Sequence, residues 1–426
     1  LLLMVGLLLR PHECKESVYV GLLFPFYSLK HTRVGAGIDA FFAFQFAVRE
    51  INNKTDGIHD DLLPNVELKY LFRDSKVDEG WAVVAALDLI QYTTTGVAAL
   101  VGPATSGAAK SVQMVSKQFA VPQIGYSTTS KSLSDPDVYP YFMRTIVDDG
   151  MQSMVQGAFI QRMGWKCVSL ISGDDIYSSM GASELENYLI EKTDVVIAAN
   201  VKIINGQENM DFVISRLEAS RCTLVVVWLQ VIDLDTLLRA AYAKRFYGAG
   251  KVQWFLSDAG VSVQDRLAQT MPAAHVAELL KGALSTTSTN GEGTDGHWAV
   301  LQRWQQQPST VREPPACLYG EDDDPARPTN VLSADHDLNA STPDECIGVD
   351  FPTNPMSMFA PYAYDNALVI AKALHQLMEV DGHKQCPVPL YYDTDAATHP
   401  INGGGTCFTR QAPPGATLSV SFDSNS

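Results

Sequence analysis

From Val18 onward, short apolar runs alternate with longer amphipathic segments: VYVGLLF, GIDAFFAFQFAVREIN, VELKYLF, WAVVAALDLIQYTT and VAALVG follow one another. Continuous apolar strands are buried on both faces, and a helix between consecutive strands requires them to pair in parallel. The rhythm restarts after Arg144. MQSMVQGAFIQRMG, KCVSLI, SELENYLIEK, VVIAANVKI, FVISRLEA, TLVVVWL and DLDTLLRAAYAKR read as alternating helices and strands. The predicted fold class is therefore α/β, with two lobes, each a parallel sheet flanked by helices. A length of 426 residues with 46% apolar content supports two such cores.

Charge narrows the partners. A formal net charge of −17, from 48 acidic and 31 basic residues, repels a nucleic-acid backbone and an anionic lipid surface. Leu1–Leu9 is an apolar run too short to span a bilayer and reads as the remnant of a signal peptide, over residues 1–16. Export is also suggested by two glycosylation sequons, Asn53-Lys54-Thr55 and Asn339-Ala340-Ser341. Of seven cysteines, Cys167 and Cys222 lie in apolar strand-like runs and are expected as buried free thiols. Cys317, Cys346, Cys386 and Cys407 lie in polar loop-like stretches, and the expected pairs are 317 with 346 and 386 with 407. Between about 307 and 356 the periodicity fails, as in an exposed loop insertion; its acidic run Glu321–Asp324 is expected to be a solvated charge cluster, not a calcium site.

Four stretches then carry a resemblance: VGPATSGAAKSVQ, VPQIGYSTTSKSLSD, YPYFMRTIVDDGMQ and GWKCVSLISGDDIYSSMG. In order and spacing they resemble class C G-protein-coupled receptors, the glutamate, GABA, calcium-sensing and taste receptors. GIDAFFAFQFAVREINN, KVQWFLSDAG, FAPYAYDNALVIAKALH and a final FD extend the likeness more weakly. The resemblance implies a type I periplasmic-binding-protein fold, a Venus flytrap whose lobes close on a ligand. The expected division is 17–144 with 283–426 as the first lobe and 145–282 as the second. It also implies an extracellular position, a homo- or heterodimer through the first lobe, and a membrane or output module outside this chain. First-lobe helices meet a second copy in the family, so FFAF is open to being either interface or core.

Ser106 falls where the family's serine holds an amino acid's carboxylate, and the helix expected to begin near Gly107 favours an anion there. Capping of that helix by Thr105 or Ser106 is the alternative. Ser127 and Thr129 match positions offering hydroxyl and backbone groups to the same head group, or they form a polar turn. Asp149, Tyr177 and Asp258 match positions that hold the α-ammonium group; otherwise Asp149 caps a helix, Tyr177 packs, and Asp258 turns the chain. Two family cations are missing: Ala40 stands at the first position, and no basic residue lies near Ala360. A buried acidic ligand tail would then be unpaired, so the expected ligand is an amino acid or amine without one. Leu100 replaces a family cysteine, so the loop after Phe26 must be held without that disulfide.

Rival functions leave weaker marks. The sequence carries no G-x-S-x-G elbow, Walker loop, HExxH or zinc-spaced Cys/His set, so no catalytic, cofactor or metal residue is assigned. His31, His59 and His297 read as surface histidines. A transport-type periplasmic binding protein and the ectodomain of a natriuretic-peptide-type receptor share the fold and stay as alternatives, as does a ligand-silent partner lobe. The long cysteine-bearing insertion favours a receptor, as does the C-terminus at VSFDSNS, which is expected to lie inside a larger protein.

Overall fold

In the computed structural model, five strands form the first sheet: β1 (Glu16–Phe24), β2 (Val66–Asp74), β3 (Leu100–Val101), β4 (Gln123–Gly125) and β5 (Phe142–Arg144). They lie in the order β2-β1-β3-β4-β5, every pair parallel. Helices α1 (Gly35–Asn52), α2 (Glu79–Gln91) and α3 (Ser106–Ser116) connect them. The structure describes residues 16–29, 34–91, 96–204, 210–289, 291, 293–307, 356–382, 384–385 and 407–408.

The second lobe repeats the scheme. Helix α4 (Asp149–Arg162) leads into β6 (Cys167–Ser172), α5 (Ile176–Lys192), β7 (Val196–Lys202), α6 (Met210–Ser220), β8 (Leu224–Trp228), α7 (Val231–Ala243) and β9 (Gln253–Leu256). Then come α8 (Ala259–Ala268), α9 (Ala273–Leu279) and β10 (Leu284–Ser285), and the parallel order is β10-β9-β8-β6-β7. The apolar run LVVVW is buried along all of β8, inside the sheet, whereas edge strand β7 alternates buried and exposed residues. Helices α10 (Asp295–Gln305) and α11 (Ala360–His375) return to the first lobe, where Trp304, Ala363, Ala367 and Ile370 join the core around β1 and α1.

One open question is answered and two expectations are corrected. Phe41, Phe42 and Phe44 of FFAF are core residues, 2%, 5% and 0% exposed, because α1 is covered by the sheet on one side and α11 on the other. Cys167 and Cys222 are not free thiols; they form a disulfide with a Cα–Cα distance of 5.9 Å. Cys167 opens β6 and Cys222 precedes β8, its parallel neighbour, so the pairing register brings them together. His59 is only half exposed, and its Nε2 lies 3.3 Å from the Tyr364 hydroxyl, beside the Glu50–Arg303 ion pair. The pairs 317–346 and 386–407, the acidic run Glu321–Asp324, the Leu1–Leu9 run, His31 and the final FD lie outside the described residues and side chains.

The loop after Phe26 is held by a carboxylate in place of a disulfide. Asp74, at the end of β2, accepts the Phe26 amide at 3.0 Å, the Tyr27 amide at 3.2 Å and the Lys76 amide at 2.9 Å. In the second lobe, α5 lies directly on β8. A Cβ added at Gly181 would sit 2.1 Å from the Trp228 ring, and one at Gly157 would sit 2.2 Å from Tyr188 of α5. Both helices therefore depend on glycine for close approach. Gly181→Ala is expected to destabilise the chain by about 2 kcal/mol, because Trp228 is fully buried and has no room to yield. Denaturant unfolding checks this; a change below a few tenths of that value would show that the contact relaxes.

Candidate functional site

Sheet order fixes where a ligand belongs. In the first sheet the connection direction reverses between β1 and β3, and in the second between β6 and β8, so the loops beyond their carboxyl ends form the natural crevice. Every singled-out residue follows one of these strand ends: Ser106 after β3, Ser127 and Thr129 after β4, Asp149 after β5, Tyr177 after β6 and Asp258 after β9.

On the first lobe, Ser106 begins α3, is 2% exposed, and its Oγ accepts the Ser130 amide at 3.2 Å. Thr105 occupies the cap position without making a side-chain cap bond. The helix end and the GYSTTS loop are thus tied to each other. Ser127 adds a second tie, its Oγ donating to the Ala104 carbonyl at 2.8 Å, so that hydroxyl is committed within the lobe. Thr129 is 4% exposed, and among the described residues its hydroxyl has no partner in good hydrogen-bond geometry, the Asp149 carboxylate being nearby. Arg144, which the sequence reading passed over, holds this loop from beneath. Its Nη1 donates to the carbonyls of Thr128 at 3.2 Å and Ser130 at 2.8 Å, and Nη2 bonds Ser134 Oγ.

On the second lobe the cap of α4 is Asp148, whose carboxylate accepts the Met151 amide at 3.2 Å. Asp149 is consequently the first helical residue and is released from capping. It is 1% exposed, and among the described residues neither carboxylate oxygen has a partner in good hydrogen-bond geometry, although the nearby Thr129 hydroxyl eases its ionisation. Asp175 caps α5 by accepting the Tyr177 and Ser178 amides, which orients Tyr177 toward the end of β9. The Tyr177 hydroxyl bonds Ser257 Oγ at 2.8 Å and Asp258 Oδ1. Beneath it lies Trp228, 5.7 Å away between ring centroids, whose Nε1 donates to Gln156 Oε1 at 2.9 Å.

Burial, followed by the neighbouring Asp258 carboxylate, pushes Asp149 well above the usual carboxylate range. Burial also raises Asp258, against the Tyr177 hydrogen bond that opposes it. Tyr177 is driven up by burial and by both carboxylates. Arg144 favours ionised Asp149, but its donors go to the Thr128 and Ser130 carbonyls and to Ser134 Oγ, its ion pair is with Asp148 at 3.9 Å, and burial lowers its own pKa. The arrangement is a pair of buried acids that no cation among the described residues pairs with directly, a chemistry suited to a ligand ammonium group.

The lobes meet around this pair. The Asp149 amide donates to the Thr129 carbonyl at 2.8 Å, and Lys131 Nζ lies 2.8 Å from Glu184 Oε2 of α5. Ala40 and Ala360, at the two positions lacking the expected cations, are both fully buried among apolar residues. Among the described residues no group of three or more His, Cys, Asp or Glu side chains is placed to hold a metal ion, and no helix is long and apolar enough to cross a membrane.

A family model for the receptor family ligand binding region matches residues 40–406. The taste receptor type 1 member 1 of Homo sapiens is 30% identical over 209 residues, covering 45% of this chain and 24% of that receptor. The metabotropic glutamate receptor-like protein E of Dictyostelium discoideum is 26% identical over 297 residues, 68% of this chain and 33% of that protein. The extracellular calcium-sensing receptor of Homo sapiens is 26% identical over 238 residues, 52% of this chain and 21% of that receptor. The resemblance to class C receptors read from the motifs is thereby supported. This chain spans at most 33% of the length of these relatives.

Raised carboxyl pKa values mean that Asp149 and Asp258 bind protons more tightly folded than unfolded. The ligand-free chain should therefore lose stability as pH rises from the ordinary carboxylate range through the raised values, and recover it on acidification. Asp149→Asn is expected to raise ligand-free stability at neutral pH by about 1 kcal/mol and to flatten this pH dependence. Thermal unfolding across a pH series checks both; a less stable variant with an unchanged slope would contradict the reading of Asp149 as an uncompensated charge.

Proposed function

The chain belongs to the receptor family ligand binding region, and from that premise we propose that it is the extracellular ligand-binding domain of a cell-surface receptor that takes up a free amino acid or a related small amine. The observation that carries this reading is Asp149: almost fully buried, without a hydrogen-bond partner in good geometry among the described residues, and within electrostatic reach of Asp258, a second carboxylate that already accepts a phenol. Such a pair is unfavourable alone and becomes favourable when an ammonium group enters between them.

In the proposed mode the ligand's carboxylate meets the first lobe, at the start of α3, where Ser106 Oγ still has its proton to donate and the helix end presents free N–H groups. Its ammonium group meets Asp149 and Asp258, with the Tyr177 ring alongside. Because the two halves of the head group bind different lobes, occupancy stabilises the closed arrangement and shifts the population toward it. The fully buried Ala40 and Ala360 leave no cation there for an acidic ligand tail, which favours neutral side chains. Pairing of first lobes, in a homo- or heterodimer, and coupling to an output module complete the proposed mechanism. The relatives matched are receptors, so the reading is of binding and signalling and not of catalysis.

A thermal-shift screen of the twenty amino acids, GABA and divalent cations tests the proposal. A true ligand at a hundred times its dissociation constant stabilises by about 2.7 kcal/mol, and Ser106→Ala should lose most of that gain for a carboxylate-bearing ligand. No shift from any amino acid or amine, or a full shift retained in Ser106→Ala, would overturn the ligand class or the carboxylate site respectively. The Lys131–Glu184 pair between the lobes is a second check. It is partly exposed, so Glu184→Gln should weaken apparent affinity only about two- to fivefold, and the difference should vanish at high salt. An unchanged affinity at low salt would show that this pair contributes nothing to closure.

A further inference from the structure

We propose that Asn53 is a site of N-linked glycosylation. This rests on the extracellular reading above, but its support is local. Asn53, Lys54 and Thr55 form an acceptor sequon, and Asn53 and Thr55 are both exposed. Asn53 ends α1, its backbone amide donating to the Arg49 carbonyl, so the side chain emerges where the helix gives way to a surface loop. The Thr55 hydroxyl donates to Asn53 Oδ1 at 2.8 Å and the Thr55 amide to the same oxygen at 3.2 Å. The hydroxyl that makes Thr55 an acceptor partner therefore already faces the amide to be modified. Asn53 Nδ2 donates to Asp56 Oδ2 at 2.9 Å, and a glycosylated amide keeps one N–H with which to do so. Space beyond the loop is open, since a Cβ built on Gly57 meets nothing within 4 Å.

The chemistry is a substitution at a sugar's anomeric carbon. Asn53 Nδ2 attacks an oligosaccharide carried on a polyprenyl diphosphate, the C–N bond forms, the diphosphate leaves with the C–O bonding pair, and Nδ2 gives up one proton. A glycan here lies at the end of α1, which shares its core with α10 and α11, whereas α2 and α3 pack into the core on the opposite side of the sheet.

The test is to express the full chain behind a secretory leader in eukaryotic cells and to treat the secreted protein with peptide N-glycosidase in heavy-oxygen water. The expected result is heavy-oxygen aspartate at position 53. The corresponding electrophoretic shift should be abolished by Asn53→Gln and by Thr55→Ala and retained by Thr55→Ser, which keeps the hydroxyl if the glutamine variant fails to fold. An unlabelled Asn53 in secreted protein whose Cys167–Cys222 disulfide has formed would overturn the proposal. Amino-acid binding by the same preparation is scored separately: labelled protein that binds no amino acid or amine would count against the ligand reading and leave the glycosylation site standing.

Discussion

Two buried carboxylates near enough for one to raise the other's pKa, with no directly paired cation among the described residues, are the constraint on which the second lobe is organised. Asp149 and Asp258 come from different elements, the start of α4 and the end of β9, and are brought together by the parallel sheet whose carboxyl ends they crown. Neutral residues of the same size would cost less there. The surrounding structure nevertheless enforces the arrangement. Asp148 takes the capping role and leaves Asp149 free, Asp175 takes the cap of α5 and aims Tyr177, and the Trp228–Gln156 hydrogen bond stiffens the floor. An electrostatic cost of this kind, held in place by well-satisfied neighbours, is what the proposed ammonium site calls for.

The opposing lobe supplies a different chemistry from loops that are themselves held at several points. Arg144 gathers the carbonyls of the GYSTTS loop, Ser127 ties that loop to Ala104, and Ser106 accepts the Ser130 amide. Farther along the rim, Asp74 takes over the work of a disulfide by accepting three amides around the β1 loop. The result is an edge of hydroxyls and a helix start opposite an edge of buried acids, the polarity that the proposed zwitterionic ligand calls for. Contacts already made between the edges, from the Asp149 amide to Thr129 and from Lys131 to Glu184, place the lobes close together in this structure.

Much of this was legible in the residue order. Alternating apolar and amphipathic segments gave both parallel sheets, and the six candidate residues taken from the family resemblance all follow strand ends. The failures have physical causes. Cys167 and Cys222 stand in apolar runs that look alike whether the thiols are free or joined, and only the β6–β8 register brings them within bonding distance. FFAF was ambiguous because a helix buried on nearly every side lacks the polar stripe that separates core from surface, and its cover, α11, lies about three hundred residues away in the chain. Asp74 and Arg144 were missed because each acts on backbone groups of a loop, which leave no side-chain pattern to read. His59 looked like a surface residue until α11 delivered Tyr364 beside it.

The most direct test of the central claim compares an amino acid that binds with its desamino analogue, by calorimetry in two buffers of different ionisation enthalpy from mildly acidic to neutral pH. If the ammonium group completes the Asp149–Asp258 pair, the amino acid will bind with release of protons from the protein at the acidic end, and the analogue will bind far more weakly and release none. Equal affinity for the two compounds, with no dependence on buffer, would contradict the account.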